Sequence, residues 1–388
     1  MNFLFKPKFH VSQHLSESTT VMCVLLLGFL LSTEARCLSI DKSLALGPEE
    51  NKVTSLALKG ETLYAGLNTI PGIVARVDVR SMKRLEPSLR FSEGENAVYS
   101  LLLVDNYLYA GLYTGPGKIV KIDVTNFSKT ETLTLREGEN WLTSLAAADG
   151  FLYAGLRMFP GKIAKIDLKT FRRVGILELA SGENNIFSMA IQDGYLYANI
   201  AMRPGGIAKI RLETFQEVES LRFREGEDYA YVLFVSDNAL FAGLYSKPGG
   251  ITKVDLTTFK ETDYATSFSE GEDNVWSLIV HDDSVYVGLE ARPGGIIKLD
   301  RNLKRLDTFR FSEAESSVYA LVSWNESLIC GLYTSPGKIN LLQTKTPAVE
   351  STPFPSTTIF ILSIAIGVLL LALTKSILRK RRQGEKSH

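Results

Sequence analysis

The chain has 388 residues, and its 43 Lys+Arg balance 43 Asp+Glu, so its formal charge is zero. Zero net charge argues against a nucleic-acid binder, which needs a basic face, and 45% hydrophobic residues exclude a disordered chain. Three cysteines exclude a disulfide-stapled miniature; of four histidines (His10, His14, His281 and His388), His281 alone stands where a zinc centre or a His-based triad could form.

In chain order, the first feature is residues 21–31 (VMCVLLLGFLL), an apolar run of 11 residues. A spanning helix needs about 20. Lys6 and Lys8 precede the run and Thr33-Glu34-Ala35 follows, the pattern of a cleaved secretory signal, which we place at 1–35.

Residues 36–342 form a seven-fold repeat. A Pro-Gly turn recurs at Pro71, Pro116, Pro160, Pro204, Pro248, Pro293 and Pro336, at spacings of 45, 44, 44, 44, 45 and 43. An acidic turn keeps step with it at Glu50, Glu95, Glu139, Glu183, Glu227, Glu272 and Glu315. Within one repeat, four strands are expected. Residues 98–104 (VYSLLLV) are apolar on both faces and 107–113 (YLYAGLY) are tyrosine-rich; 118–123 (KIVKID) alternate, and 129–135 (KTETLTL) are polar. No run holds a helical period. The last repeat lacks its outer strand, because residues 344–358 are rich in Pro and Thr. Residues 44–51 align with 89–96, so an orphan outer strand near the N-terminus is expected to complete blade seven. The fold class is all-β: a seven-bladed β-propeller of four-stranded blades closed by that N-terminal strand.

The repeat style, carried by residues 111–123 (GLYTGPGKIVKID) and 331–339, resembles the YVTN/WD-repeat-like superfamily, especially repeat proteins of microbial cell surfaces. The resemblance implies fold more than activity. The chain departs from true WD repeats in having no Gly-His…Trp-Asp pair. It also lacks Asp-x-Asp-x-Asp-Gly cages, so no bound calcium, metal or other cofactor is expected.

Residues 343–356 read as a Pro/Thr-rich stalk. Residues 357–378 are 22 long with one charge, Lys375, and Arg379-Lys380-Arg381-Arg382 follows at once. An apolar span stopped by a basic cluster marks a transmembrane helix with a cytoplasmic tail at 379–388. The two ends together describe a single-pass type I membrane protein with the propeller outside the cell; the lumen of an endomembrane is the alternative.

Among chemistry-bearing residues, the repeated glutamates read as structural, since a residue present in every blade does the same work in each. A ring of carboxylates around a cation is the other reading. Residues that break the repeat say more. Trp141, Arg157, Phe159, Arg203, Tyr229, Lys247 and Arg292 fall in the acidic and Pro-Gly turns of blades three to six, on one face, and aromatic and arginine side chains are the types enriched at binding hot spots. Asn126-Phe127-Ser128 and Asn325-Glu326-Ser327 are glycosylation sequons in turns. Cys37 and Cys330 would lie on strands about 10 Å apart, which favours two free thiols over a disulfide. The function expected is a non-catalytic binding or adhesion module for an extracellular protein or glycan; the alternative is a membrane-anchored ectoenzyme of a propeller family, for which no catalytic residues stand out.

Overall fold

The computed structural model describes residues 38–265 and 268–344. The expected signal, spanning segment and tail, most of the stalk, and Cys37 lie outside them. The described residues form seven antiparallel sheets of four strands each. Blade two shows the rule, with Val98–Val104, Tyr107–Leu112, Lys118–Asp123 and Ser128–Thr134 running outward from the axis. These are the four strands the sequence implies there, each within a residue of its expected ends. Tyr113 leaves the second strand because its N–H is donated instead to the carbonyl of Ala97, 3.0 Å away.

The core is divided among the joints between blades. Each of seven hydrophobic clusters spans two neighbouring blades; one joins Tyr64 and Val74 of blade one to Val98 and Leu112 of blade two. This explains why inner strands are apolar on both faces: each face meets another sheet.

A close approach sets the spacing of the blades. In six of them the second strand carries glycine opposite the first core residue of the next inner strand. A Cβ on Gly111 would sit 2.2 Å from Leu142 Cδ2, and one on Gly331 would sit 2.4 Å from Val53 Cγ1. Blade four has Asn199 there, and the residue it faces shrinks to Ala230. The Asn199 amide donates to the Ala230 carbonyl at 2.6 Å, while its Oδ1 accepts the N–H groups of Phe187 and Ser188 at 2.7 and 2.8 Å. The side chain thus replaces ladder bonds, and the inner strand of blade four shortens to Met189–Gln192.

The ring closes as expected. Ser39–Ala45 pairs antiparallel with Lys338–Gln343 as the outer strand of blade seven. Leu38 is buried, with its N–H on Asp307 at 2.7 Å, and Leu46 enters the cluster between blades seven and one. The Cys330 thiol is buried and free on the second strand of blade seven, at the site that Ala110 and Ala154 fill elsewhere; burial pushes it up to about 12.

Deleting residues 38–47 from the propeller should lower its melting temperature by roughly 10 °C, because both edges beside the closure open. Calorimetry on the soluble domain checks this; unchanged melting would show that closure does not depend on this segment.

Candidate functional site

The antiparallel order puts the acidic and Pro-Gly turns at one end of every blade. Each glutamate of the acidic turns is buried, between 3% and 9% exposed. Its carbonyl accepts the N–H of a Pro-Gly glycine, as Glu95 accepts from Gly72 at 2.8 Å. In five blades its carboxylate also accepts the N–H three residues back and takes a cation: Arg84, Lys129, Arg173, Arg305 or Lys338. Burial alone would raise the Glu95, Glu272 and Glu315 carboxyls, but the hydrogen bonds and charges of Lys129, Arg305 and Lys338 hold them below their ordinary value. This is the structural role expected of them. Among the described residues no group of three or more His, Cys, Asp or Glu is placed to hold a metal.

Two residues after each glutamate the backbone is left-handed although no glycine is present: Lys52, Ala97, Trp141, Asn185, Tyr229, Asn274 and Ser317 have φ from 27 to 58°. Each donates its N–H to the loop before the preceding Pro-Gly, as Trp141 does to Thr114 at 2.8 Å. All but Asn185 accept from the residue just past the end of their own second strand, as Trp141 does from Arg157 at 3.0 Å. The backbone does the joining, and the side chain is left free to vary.

Inside this ring lies a second one. The second residue of each inner segment (Thr54, Tyr99, Thr143, Phe187, Tyr231, Trp276 and Tyr319) lines a cavity of about 130 Å³ on the axis. Five of the seven are aromatic, and they stack around the opening. Phe187 lies 3.9 Å from Tyr231, Tyr231 4.7 Å from Trp276, and Trp276 4.1 Å from Tyr319. Tyr113, Tyr245 and Tyr333 stack behind Tyr99, Tyr231 and Tyr319. Burial pushes the Tyr99 hydroxyl up to about 12 and those of Tyr231 and Tyr319 higher still, so all three stay neutral. Two opposite charges face this cup. Arg157 of blade three donates to Tyr113 Oη at 2.7 Å and lies over Phe187. Glu290 of blade six accepts from Asn274 at 3.3 Å and Tyr319 at 3.4 Å.

Of the residues singled out from sequence, Trp141 and Arg157 join the cup, Trp141 by stacking on Tyr113 at 6.3 Å. The others form an outer rim. Arg203 lies over Tyr229 and pairs with Asp228, Lys247 pairs with Asp273, and Phe159 and Arg292 are exposed beside their prolines. Sequence reasoning missed Tyr99, Phe187, Tyr231, Trp276, Tyr319 and Glu290. Their signal was an aromatic residue at one fixed register, hidden in strands whose hydrophobicity sheet packing already explains. Asn126 and Asn325 are exposed in turns at the opposite end of the blades.

The molecule is therefore a closed seven-bladed propeller built from repeats. A family model described as a repeat of unknown function (DUF6923) matches residues 96–272, the stretch that covers blades two to five. Among curated proteins, none matches this chain. The crystal structure of the computationally designed Ika8 protein is similar, with a TM-score of 0.56 at 15% identity over 76% of this chain and 98% of that one. At that identity the likeness concerns the fold alone.

Arg173→Ala would strand the Glu139 carboxylate, which is 5% exposed, and should cost about 3 kcal/mol. Arg203→Ala breaks a pair whose arginine is 70% exposed and should cost under about 0.5 kcal/mol. Urea unfolding of the two variants measures the difference.

Proposed function

We propose that this chain is a non-catalytic binding or adhesion module held at a membrane, and that its ligand enters the aromatic cup on the propeller axis. The observation that carries this is the ring of Tyr99, Phe187, Tyr231, Trp276 and Tyr319. A structural channel needs only small or aliphatic residues at that register, as Thr54 and Thr143 show by bonding across to the next inner segment. At about 130 Å³ the cavity is smaller than the roughly 300–1,000 Å³ of small-molecule pockets. It suits one projecting group of a larger ligand, a side chain of a protein or a terminal sugar of a glycan. The rest of the ligand would lie on the rim of Arg203, Tyr229, Lys247 and Arg292. Stacked rings offer large contact area with little conformational freedom to lose.

On this reading the repeats are a divergent form of the YVTN/WD-like kind. The segment at 357–378 anchors the chain as a single-pass type I protein with the cup facing away from the cytosol. Both sequons, at the opposite end of the blades, leave the cup uncovered when glycosylated.

The soluble propeller, used to capture surface proteins and to probe a glycan array, should yield a ligand. Trp276→Ala and Arg157→Ala should each weaken its binding by about 1–3 kcal/mol, while Lys169→Ala, at the opposite end of the blades, should leave it unchanged. Equal binding by all three would remove the cup from consideration. Topology has its own check: Asn126→Gln/Asn325→Gln should abolish a glycosidase-sensitive mobility shift in the full chain, and a chain without glycans in a secreting cell would contradict the outward orientation.

A further inference from the structure

The seven turn glutamates do not have equal surroundings. In blades one, two, three and six the start of the outer strand offers each one a cation, in blade seven Lys338 of the third strand serves, and in blade four only Arg222, at the far end of the outer strand and 3.6 Å away, does so. In blade four the equivalent position is Glu217, and in blade five it is Glu261. The backbone wiring changes with them. The N–H groups of Gly47, Ser92, Arg136, Ser269 and Ser312 donate to the turn glutamate of their own blade. The equivalent N–H groups of Ala180 and Arg224 go to Glu217 and Glu261 instead.

The two carboxyls of blade four come within hydrogen-bonding reach of each other. Glu183 is 4% exposed, accepts from Ser220 at 2.5 Å, and has no donor on its other oxygen. The charged groups facing this pair are one another and Arg222, 3.6 Å from Glu183. In blade five Glu227 accepts from Thr252 at 2.7 Å, and Glu261 lies 3.0 Å from Arg224; Tyr264 and Asp228 complete the surroundings. The two carboxyls of blade four, so placed, are most stable with a proton between them, and a proton on Glu261 removes its repulsion with Glu227.

We propose that blades four and five are a proton-operated section of the ring. In acid the Glu183–Glu217 pair shares a proton and the Glu227–Glu261 pair is relieved of its mutual repulsion, so that both turns stay tied to the outer strand, the role that close ion pairs play in the other five blades. At higher pH Glu217 and Glu261 ionise beside a second carboxylate, repel it, and loosen the two turns. The turn of Glu227 carries Asp228, which pairs with Arg203, and Tyr229, whose N–H is held by the Met202 carbonyl at 2.8 Å. The loosening is therefore delivered to the rim around the cup.

Burial first, and then the charge of Glu183, pushes Glu217 up to about 7. Burial likewise raises Glu227 and Glu261, the latter aided by Glu227. A carboxyl raised in the folded chain holds its proton more tightly there than when unfolded. The stability it contributes is complete below its ordinary value of 4.5 and is lost as pH rises through about 7.

Thermal unfolding of the propeller between about pH 5 and pH 8 tests this. The melting temperature should fall by roughly 5 °C, and the double variant Glu217→Lys/Glu261→Lys, which installs the cation of the other blades, should abolish most of that fall. Glu217→Gln/Glu261→Gln, which supplies a permanent donor, should flatten the profile as well. A level profile in the parent protein, or an equal fall in either double variant, overturns the proposal. So does a rise in melting temperature with calcium at high pH that the Gln variant loses, since a bound cation would then be the partner of these pairs.

Discussion

Every joint in the ring depends on satisfying a buried glutamate. The acidic turn must bring the chain from the outer strand of one blade to the inner strand of the next, and it does so around a carboxylate removed from water. Leaving such a group unpaired costs several kcal/mol. In five blades the fold answers with a turn N–H and a cation, joined for Glu50 and Glu95 by the hydroxyls of Ser88 and Thr132, and in all seven the glutamate's own carbonyl holds the Pro-Gly glycine of the preceding blade. Strand geometry alone would not lock neighbouring sheets in angle. The carbonyl bond, the left-handed residue two positions later and the close approach of the second-strand glycine act together to do so. Interface packing then follows, with seven clusters of one design.

Where the repeat is broken, the break is either compensated or turned outward. Asn199 in place of glycine is compensated by Ala230 and by side-chain hydrogen bonds that stand in for the ladder. Arg157 and Glu290 are turned toward the axis, from blades nearly opposite each other in a ring of seven, where the packing of the sheets gains nothing from them. This division separates residues that serve the ring from residues available to a ligand. The cup has two supports, since its rings pack on one another and all but Phe187 are mounted on paired strands.

The fold was legible in the sequence because two punctuation marks, Pro-Gly and the acidic turn, keep one period, and because Thr and Pro after residue 343 rule out a last outer strand. Strand ends in blade two were readable to a residue, since Asp105-Asn106 and Gly115-Pro116-Gly117 admit few backbone paths. Only part of the candidate site was readable. Trp141 and Arg157 stood out as breaks in turns. Tyr231, Trp276 and Tyr319 did not, because an aromatic residue in an apolar strand looks like core until the ring shows that its position faces the axis. The loss of the cation at Glu217 and Glu261 was equally visible as letters and equally silent, since only the pairing register brings residues that far apart in sequence together.

The central proposal is that the ligand seats a group in the axis cup. Incorporating a photo-reactive phenylalanine analogue at position 319 in one protein and at position 169 in another, then irradiating each with its captured ligand, asks this directly. Covalent capture at 319 and none at 169 is the result the account predicts. Capture at 169 with none at 319 would place the ligand on the opposite end of the propeller and contradict it.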